Sequence, residues 1–467
     1  MSPPDTDPAF QPVHALAAEM AAGRLGSRAL LERYLARIER YGGKLHAFVA
    51  LYAEEARRAA HAADEAIAAG CRIGPLHGVP VAVKDIVDIE GRVTTGGSKH
   101  WERRVSPRTA TLVRRLVEAG MIVLGKTHSV EFALGSFGTN QRMGTPWNPW
   151  DMAALRAPGG SSSGTGVAVA AGLAPWGIGT DTGGSVRIPS SWCGIVGLKT
   201  TLGRVSVHGV LPLAHTLDTP GPMCRCVEDA ALLFDVLQGP DPNDPLTLRH
   251  APCDPFRMLR RGVAGLRLAR LPAPDREPAG AEVLAAYDES LRLLETLGAR
   301  LVDVALPRRF AELGPMTGRL IAAEGYSHVG ALVDDPSLPL DEDVRPRFLP
   351  GRDMRASEYL GLLQEREALK RQWNAALEGM DALLTPTTAQ AAPRVEDIDQ
   401  KGTAATYTRA VNLVDWCALA LPNGATAAGL PTSLQIACRG GDEALALRIG
   451  WALERATPWH RRAPALS

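Results

Sequence analysis

Residues 109–125 read TATLVRRLVEAGMIVLG. Leu112, Val113, Leu116 and Val117 recur at helical spacing, so the first part predicts an amphipathic helix. The helix runs into Met121-Ile-Val-Leu124, a short apolar stretch stopped by Gly125, which predicts a buried strand. Upstream, Val79-Pro-Val-Ala-Val83 is a second apolar run with β-branched residues. Strand, helix, strand in that order is the grammar of a parallel β-sheet with crossover helices, and it sets the fold class as α/β.

The alternation continues in both directions. Residues 13–40 predict two helices, with Ser27 as N-cap of the second and Leu30, Leu31, Tyr34, Leu35 and Ile38 as its apolar stripe. Residues 53–69 predict an Ala-rich helix ending at Gly70. Further on, a strand-like piece (Trp176 to Thr180) precedes a helix at 227–237, and the strand-like GLRLARL at 265–271 precedes a helix at 279–297. Leu301–Val304, a helix at 355–380, Asp381–Leu384, Ser433–Ala437 and a helix at 442–456 complete the pattern. No internal repeat is evident. The Pro-rich patches at 238–256 and 271–278 read as loops or as a linker; strands flank both, so one continuous mixed sheet and two domains both fit.

Composition narrows the function classes. With 467 residues, 45% hydrophobic and 22% charged, the chain is globular and long enough to bury a large core without staples. Its 51 basic and 51 acidic residues form no long run of one sign, which argues against a nucleic-acid footprint or a polybasic membrane patch. The longest apolar stretch, Val167 to Ile178, is too short for a bilayer, and the N-terminal residues lack the pattern of a signal peptide. The seven cysteines are odd in number and have no zinc spacing, so they read as reduced thiols of a cytoplasmic protein. Only seven of the basic residues are Lys, which makes each one worth attention.

Lys84 directly follows the apolar run 79–83. It reads either as a lysine snorkelling from a strand end or as a partly buried lysine whose lowered pKa would let the neutral amine act as a base. Pro158-Gly-Gly-Ser-Ser-Ser-Gly-Thr-Gly166 lacks the Lys of a P-loop and the third Gly and preceding strand of a dinucleotide fingerprint. Its Gly160-Ser-Ser162-Ser-Gly164 matches a nucleophile elbow in form only, because no apolar strand leads into it. Gly179-Thr-Asp-Thr-Gly-Gly-Ser-Val-Arg-Ile-Pro189 leaves a strand with uncovered backbone N–H groups that end on a serine. Alone it reads as a Gly-rich turn; beside a nucleophile it suits an oxyanion hole.

Taken together, these pieces resemble the amidase signature family. The resemblance rests on GPLHGVPVAVKDIVDIEGRVTTGGS (74–98), GKTHSVEFALGSFGTNQRMGTPWNPWD (125–151), PGGSSSGTGVAVAAGLAPWGIGTDTGGSVRIPSSWCGIVGLKTTLGRVS (158–206) and the ending NLVDWCALALPNG…GLPTSLQIA (412–437). It covers about 74–230 and returns at 405–456, while 240–400 is a variable region on the substrate side. The resemblance implies a single amidase domain over 1–467, built as a large mixed, twisted β-sheet covered on both faces by α-helices. It also implies a Ser–cis-Ser–Lys triad: Ser185 as nucleophile, Ser161 as the bridging serine after a cis Gly160–Ser161 bond, and Lys84 as base. The backbone N–H groups of Thr182, Gly183, Gly184 and Ser185 would hold the oxyanion. Asp181 and Arg187 would fix the loop, and Ser162 would join the hydrogen-bond network. No metal and no cofactor is implied. Ser163 departs from the family, many of whose members have Gly there.

The implied reaction is hydrolysis of a non-peptide amide bond through an acyl-enzyme, with a small-molecule amide as substrate. Gly135 and Ser136, in a loop that lines the family's site, and Arg409, a candidate for an anionic group, are the expected substrate contacts. Glutaminase members of the family look as though they place an acid about seven positions before the Asn of the NL motif; here 403–410 contains none. The segment Thr406–Leu421 is instead similar to allophanate hydrolases, or is a core helix common to the family. A stand-alone amidase is therefore the leading reading. The alternatives are a glutaminase-type A subunit of a tRNA-dependent amidotransferase, which would need partners, and a non-catalytic binding relative. A homodimer is compatible with all three.

Overall fold

The structure, a computed structural model, describes residues 7–466. The signal-peptide reading falls partly on residues 1–6, outside the described residues. The helices are α1 (Val13–Ala21), α2 (Ser27–Leu45), α3 (Ala53–Ala68), α4 (Thr111–Glu118), α5 (Ser163–Ala170), α6 (Arg187–Cys193), α7 (Val227–Leu237), α8 (Ala281–Thr296), α9 (Phe310–Val333), α10 (Leu349–Arg352), α11 (Ala356–Ala376), α12 (Arg409–Leu413) and α13 (Glu443–Arg455). The strands are β1 (Phe48–Leu51), β2 (Pro80–Lys84), β3 (Ile122–Thr127), β4 (Trp176–Asp181), β5 (Val196–Lys199), β6 (Thr219–Cys224), β7 (Arg267–Arg270), β8 (Arg300–Asp303), β9 (Ala382–Pro386), β10 (Cys417–Ala425) and β11 (Pro431–Cys438).

All of these strands join one mixed sheet in the order β1-β3-β2-β4-β6-β5-β10-β11-β9-β7-β8. β2 runs parallel to β3 and β4, and β7 runs parallel to β8 and β9; the other neighbours are antiparallel. The α/β class and the mixed sheet read from the sequence are present. The Pro-rich patches at 238–256 and 271–278 are loops and short helical turns between strands of this same sheet.

The strand period of two sorts the side chains onto two faces. On one face Val81, Val83, Trp176 and Ile178 join a core shared with α1, α4, α7, α8 and α13. On the other, Ala82, Leu124 and Met223 meet α2, α3 and α5. That second face is unusually flat because β4 carries glycines there. A Cβ on Gly177 would lie 2.6 Å from Thr165, and one on Gly179 would lie 2.9 Å from Ser162 Oγ. The start of α5 can therefore sit directly on β2 and β4.

Several elements differ from expectation. The N-cap of α2 is Gly26, not Ser27; the Ser27 hydroxyl turns inward and donates to Gly78 O at 2.7 Å, while Asp64 takes the Ser27 N–H. The segment 406–421 is not a core helix. It is the single turn of α12 followed by the first half of β10, because strand pairing with both β5 and β11 outweighs its helix-forming alanines and leucines. β6 (TPGPMC) is a strand to which the sequence pattern assigns no element, its two prolines and glycine being poor strand formers. α9, in a region with no recognised pattern, carries Pro315 within its first two turns and continues through it.

Candidate active site

Lys84 is the last residue of β2, a strand buried along its whole length between two parallel neighbours. Its side chain is fully buried, which excludes snorkelling. The amine Nζ lies 2.8 Å from Ser161 Oγ and 2.8 Å from Thr180 Oγ1. Burial pushes its pKa down to about 7, against the opposing pull of the Asp218 and Asp181 carboxylates. A near-neutral amine is thus held against the hydroxyl of Ser161.

Ser161 stands just before α5, after a cis Gly160–Ser161 bond. The loop at 135–138 grips this turn from outside: Gly160 N–H donates to Ser136 O at 2.8 Å and Gly159 N–H to Phe137 O at 3.1 Å. A Cβ on Gly160 would stand 2.5 Å from Gly135 O, so only glycine fits this approach. Ser162, the centre of the formal elbow motif, turns away from the cavity. Its hydroxyl lies 3.3 Å from Thr180 O and accepts the Thr180 N–H at 3.2 Å, which fixes α5 to β4.

Ser185 lies on the loop that carries the chain from β4 into α6. Its own carbonyl accepts the Ser162 N–H at 3.3 Å, so the two Gly-Gly-Ser loops are joined. The loop is wound around the buried Asp181 carboxylate, which accepts the N–H groups of Gly184 (2.8 Å) and Val186 (3.1 Å). Arg187 pairs with both Asp181 oxygens, at 3.0 and 2.9 Å. The same guanidinium reaches Gln435 Oε1 and Asn412 Oδ1, each at 2.6 Å, and Asn412 returns a bond to Asp181. Arg187 and the other donors hold Asp181 well below the usual carboxylate range despite its burial.

This network corrects the expected set of four oxyanion donors. The Gly184 N–H is occupied by Asp181, whereas those of Thr182, Gly183 and Ser185 have no acceptor among the described residues. Gly184 is still required at its place: its φ is +134°, and a Cβ there would lie 2.3 Å from Thr408 Oγ1. The Thr182 hydroxyl donates to Asp218, a buried carboxyl whose pKa burial raises to about 6 and which also accepts the N–H groups of Leu213 and Ala214.

Ser185, Thr182 and Gly183 open into a cavity whose walls include Gly135, Ser136 and Arg409. The three expected substrate contacts are therefore brought together with the serine. Arg409 is half-buried, its pKa lowered to about 10 by desolvation and by neighbouring Arg347, and its guanidinium bonds Gly314 O. Arg347 lies on the same wall and bonds backbone carbonyls of Asp343 and Gln400. Neither guanidinium has a carboxylate partner among the described residues. Sequence reasoning missed Arg347, Thr180, Asp218 and Gln435. Thr180 and Gln435 lay inside quoted motifs, but nothing local marked their roles, and Arg347 sits in the region with no recognisable pattern.

Known proteins resemble the chain over almost its whole length. The Amidase family model matches residues 29–447. The chain is 37% identical to the A subunit of glutamyl-tRNA(Gln) amidotransferase from Halorhodospira halophila, over 97% of this chain and 98% of that protein. Among solved structures, the native peptide amidase from Stenotrophomonas maltophilia superposes with a TM-score of 0.86 at 30% identity, covering 98% of each chain. The glutamyl-tRNA(Gln) amidotransferase A subunit from Thermotoga maritima gives 0.83 at 30% identity, covering 99% of each. With the match running through both Gly-Gly-Ser loops and the strand that carries Lys84, the chain belongs to the amidase signature family.

Proposed function

We propose that the protein is an amide hydrolase in which Lys84, Ser161 and Ser185 form a proton relay and Ser185 is the nucleophile. The observation that carries the reading is the buried, pKa-lowered Lys84 amine 2.8 Å from Ser161 Oγ. Neutral Lys84 takes the proton of Ser161, and Ser161 takes that of Ser185 as its Oγ attacks the amide carbonyl. The N–H groups of Thr182, Gly183 and Ser185 receive the developing oxyanion, each such donor being worth ~3–4 kcal/mol in comparable chemistry. The proton returns through Ser161 to the leaving nitrogen, which departs as ammonia or an amine. Water then cleaves the acyl-enzyme by the same relay in reverse.

Arg347 and Arg409, both without a carboxylate partner on the cavity wall, support a small substrate with an anionic group. The inner cavity has no acidic residue, and Ala405 stands seven positions before Asn412 on its wall. No helix of the described residues is long and apolar enough to cross a membrane, and all seven cysteines are free, which supports work in a reducing, cytoplasmic setting. The whole chain acts as one amidase unit in this reading.

A second reading is a glutaminase-type A subunit that works with partners. The near full-length similarity to amidotransferase A subunits favours it. One experiment separates the two. The purified chain alone is labelled with a fluorophosphonate probe and screened for ammonia release from ureido acids, aryl amides and glutamine. Labelling lost in Ser185→Ala, with turnover of an anionic amide in the absence of partners, is expected. Activity on glutamine that appears only with added partner proteins establishes the second reading, and absence of labelling at any pH removes both.

A further inference from the structure

Away from Ser185, α1 docks on α7 through a single carboxylate. Asp229 Oδ2 accepts the Val13 N–H at 2.7 Å, and Oδ1 accepts the His14 N–H at 2.9 Å. The His14 ring closes back on the same group, with Nδ1 2.8 Å from Asp229 Oδ1. Cys226, just before α7, brings its Sγ to 3.8 Å from that nitrogen. The three donor atoms all lie within 4.8 Å of one another. Cys226 and Asp229 are buried, while the His14 side chain is 38% exposed and leaves an entry path.

A second observation points to the same place. Glu454, on α13, is 5% exposed and lines the cavity shared by His14 and Cys226. Its carboxylate accepts the Val227 N–H at 2.8 Å and has no ion-pair partner among the described residues. Asp229 has His14 as its one basic partner among the described residues. Arg225, on the same cavity wall, spends its donors on the backbone carbonyls of Phe10 and Arg462. Two carboxyl groups thus meet at one cavity, Asp229 paired with the His14 ring and Glu454 with no ion-pair partner among the described residues; Arg455 and Arg461 also line the cavity and pair with neither.

We propose that His14, Cys226 and Asp229 form a site for a divalent transition-metal ion, with zinc the ion that suits the donor set. One imidazole nitrogen, one thiolate and one carboxylate oxygen are zinc donors, and a tetrahedral ion at ~2.0 Å from nitrogen and ~2.3 Å from sulfur sets those atoms ~3.6 Å apart. The observed nitrogen–sulfur separation of 3.8 Å is close to that value, while Nδ1 and Asp229 Oδ1, 2.8 Å apart across their hydrogen bond, must open by about 0.5 Å to admit the ion. The fourth position faces the cavity, where a water or the Glu454 carboxylate completes the set. Entry of the ion displaces the Cys226 thiol proton and the proton shared by His14 and Asp229, both released to solvent. The ion would clamp α1 to α7 and α13, and its site shares no wall residue with the Ser185 cavity.

Cobalt(II) is the probe, because a thiolate ligand gives it a charge-transfer band. The full chain, stripped of metal, is titrated with cobalt and then with zinc. One equivalent of cobalt should produce the band, zinc should abolish it by displacement, and zinc should raise Tm. Cys226→Ser should lose the band, while the exposed-thiol control Cys71→Ser keeps it. His14→Gln, at a half-exposed position, should weaken cobalt binding at least about tenfold and decides the matter if Cys226→Ser fails to fold. Absence of the band in the unmodified chain, its survival in Cys226→Ser, or unchanged binding in His14→Gln overturns the proposal.

Discussion

Lys84 is carried by β2 to a position without solvent contact, where burial lowers its pKa to about 7 while Asp218 and Asp181 pull it upward. If its free amine is the base, kcat/KM falls about tenfold per pH unit below that value, since the neutral fraction falls so. Asp218→Asn removes an anion that favours the ammonium form, so the acid limb should move to lower pH. An unmoved limb in that variant would separate the limb from Lys84. Stability gives an independent reading. Because the folded-state pKa lies below the ordinary lysine value, the folded chain binds fewer protons than the unfolded chain between about 7 and 10.5. Burial of Lys84 therefore costs stability in full below pH 7, and the cost disappears as pH rises to 10.5. Lys84→Met should abolish turnover, and its Tm relative to the unmodified protein should be most favourable on the acid side and decline steadily across that window. A constant Tm difference with pH would mean that the amine is not desolvated as the structure has it.

At the scale of elements, the β4–α6 connection is a short loop held in shape by one carboxylate and one guanidinium. Arg187 is fully buried and bonds Asp181, Asn412, Gln435 and the Thr408 carbonyl together. Arg187→Met would leave Asp181 buried without its counter-charge, a loss of about 3–5 kcal/mol, and Arg187→Lys should recover little because one ammonium cannot span those partners. Denaturant unfolding measures this, and a loss below about 1 kcal/mol in Arg187→Met would show that the network is not what shapes the loop. The sequence makes half of this network visible. Asp181 and Arg187 are six residues apart in one motif, whereas Asn412 and Gln435 come from 225 and 248 residues beyond Arg187. No local pattern can pair such distant groups. The same limit applies to the elements: β2, β3 and α4 were legible from periodicity because their side chains face a core in a regular way. β6 and β10 were not, since β6 is interrupted by two prolines and a glycine and the alanines and leucines of β10 suit a helix until neighbouring strands enforce extension. Gly184 lay in a recognisable Gly-Gly-Ser, yet its N–H turned out to serve Asp181, a direction of one bond that no motif encodes.

For the whole molecule, the sheet sets which parts can open. Lys84 and its hydrogen-bond partner Thr180 sit on β2 and β4, buried strands with paired neighbours on both sides, whereas β1 and β8 are four-residue edge strands that are partly exposed. The Pro-rich patches that read equally as loops or as a linker sit between α7 and α8, and the strands beside them, β7 and β8, join the same sheet through β9. If the sheet behaves as one cooperative unit, amides of β2, β4, β10 and β11 exchange with deuterium only through global unfolding. Those of β1 and β8 should exchange at least about a hundredfold faster by local fraying, an opening free energy about 2.7 kcal/mol smaller. The alternative is distinguishable by its pattern. Should β7, β8 and β9 exchange together as a block, well before β2 and β4, the far end of the sheet would be a separately opening unit. Arg347, which lies between β8 and β9 in the chain, and Arg409, which follows β9, would then move relative to Ser185 with that unit. Exchange graded from the edges inward places both arginines on a wall that is already formed before any ligand arrives, so that anion binding orders nothing and the Lys84–Ser161 contact is in place before it.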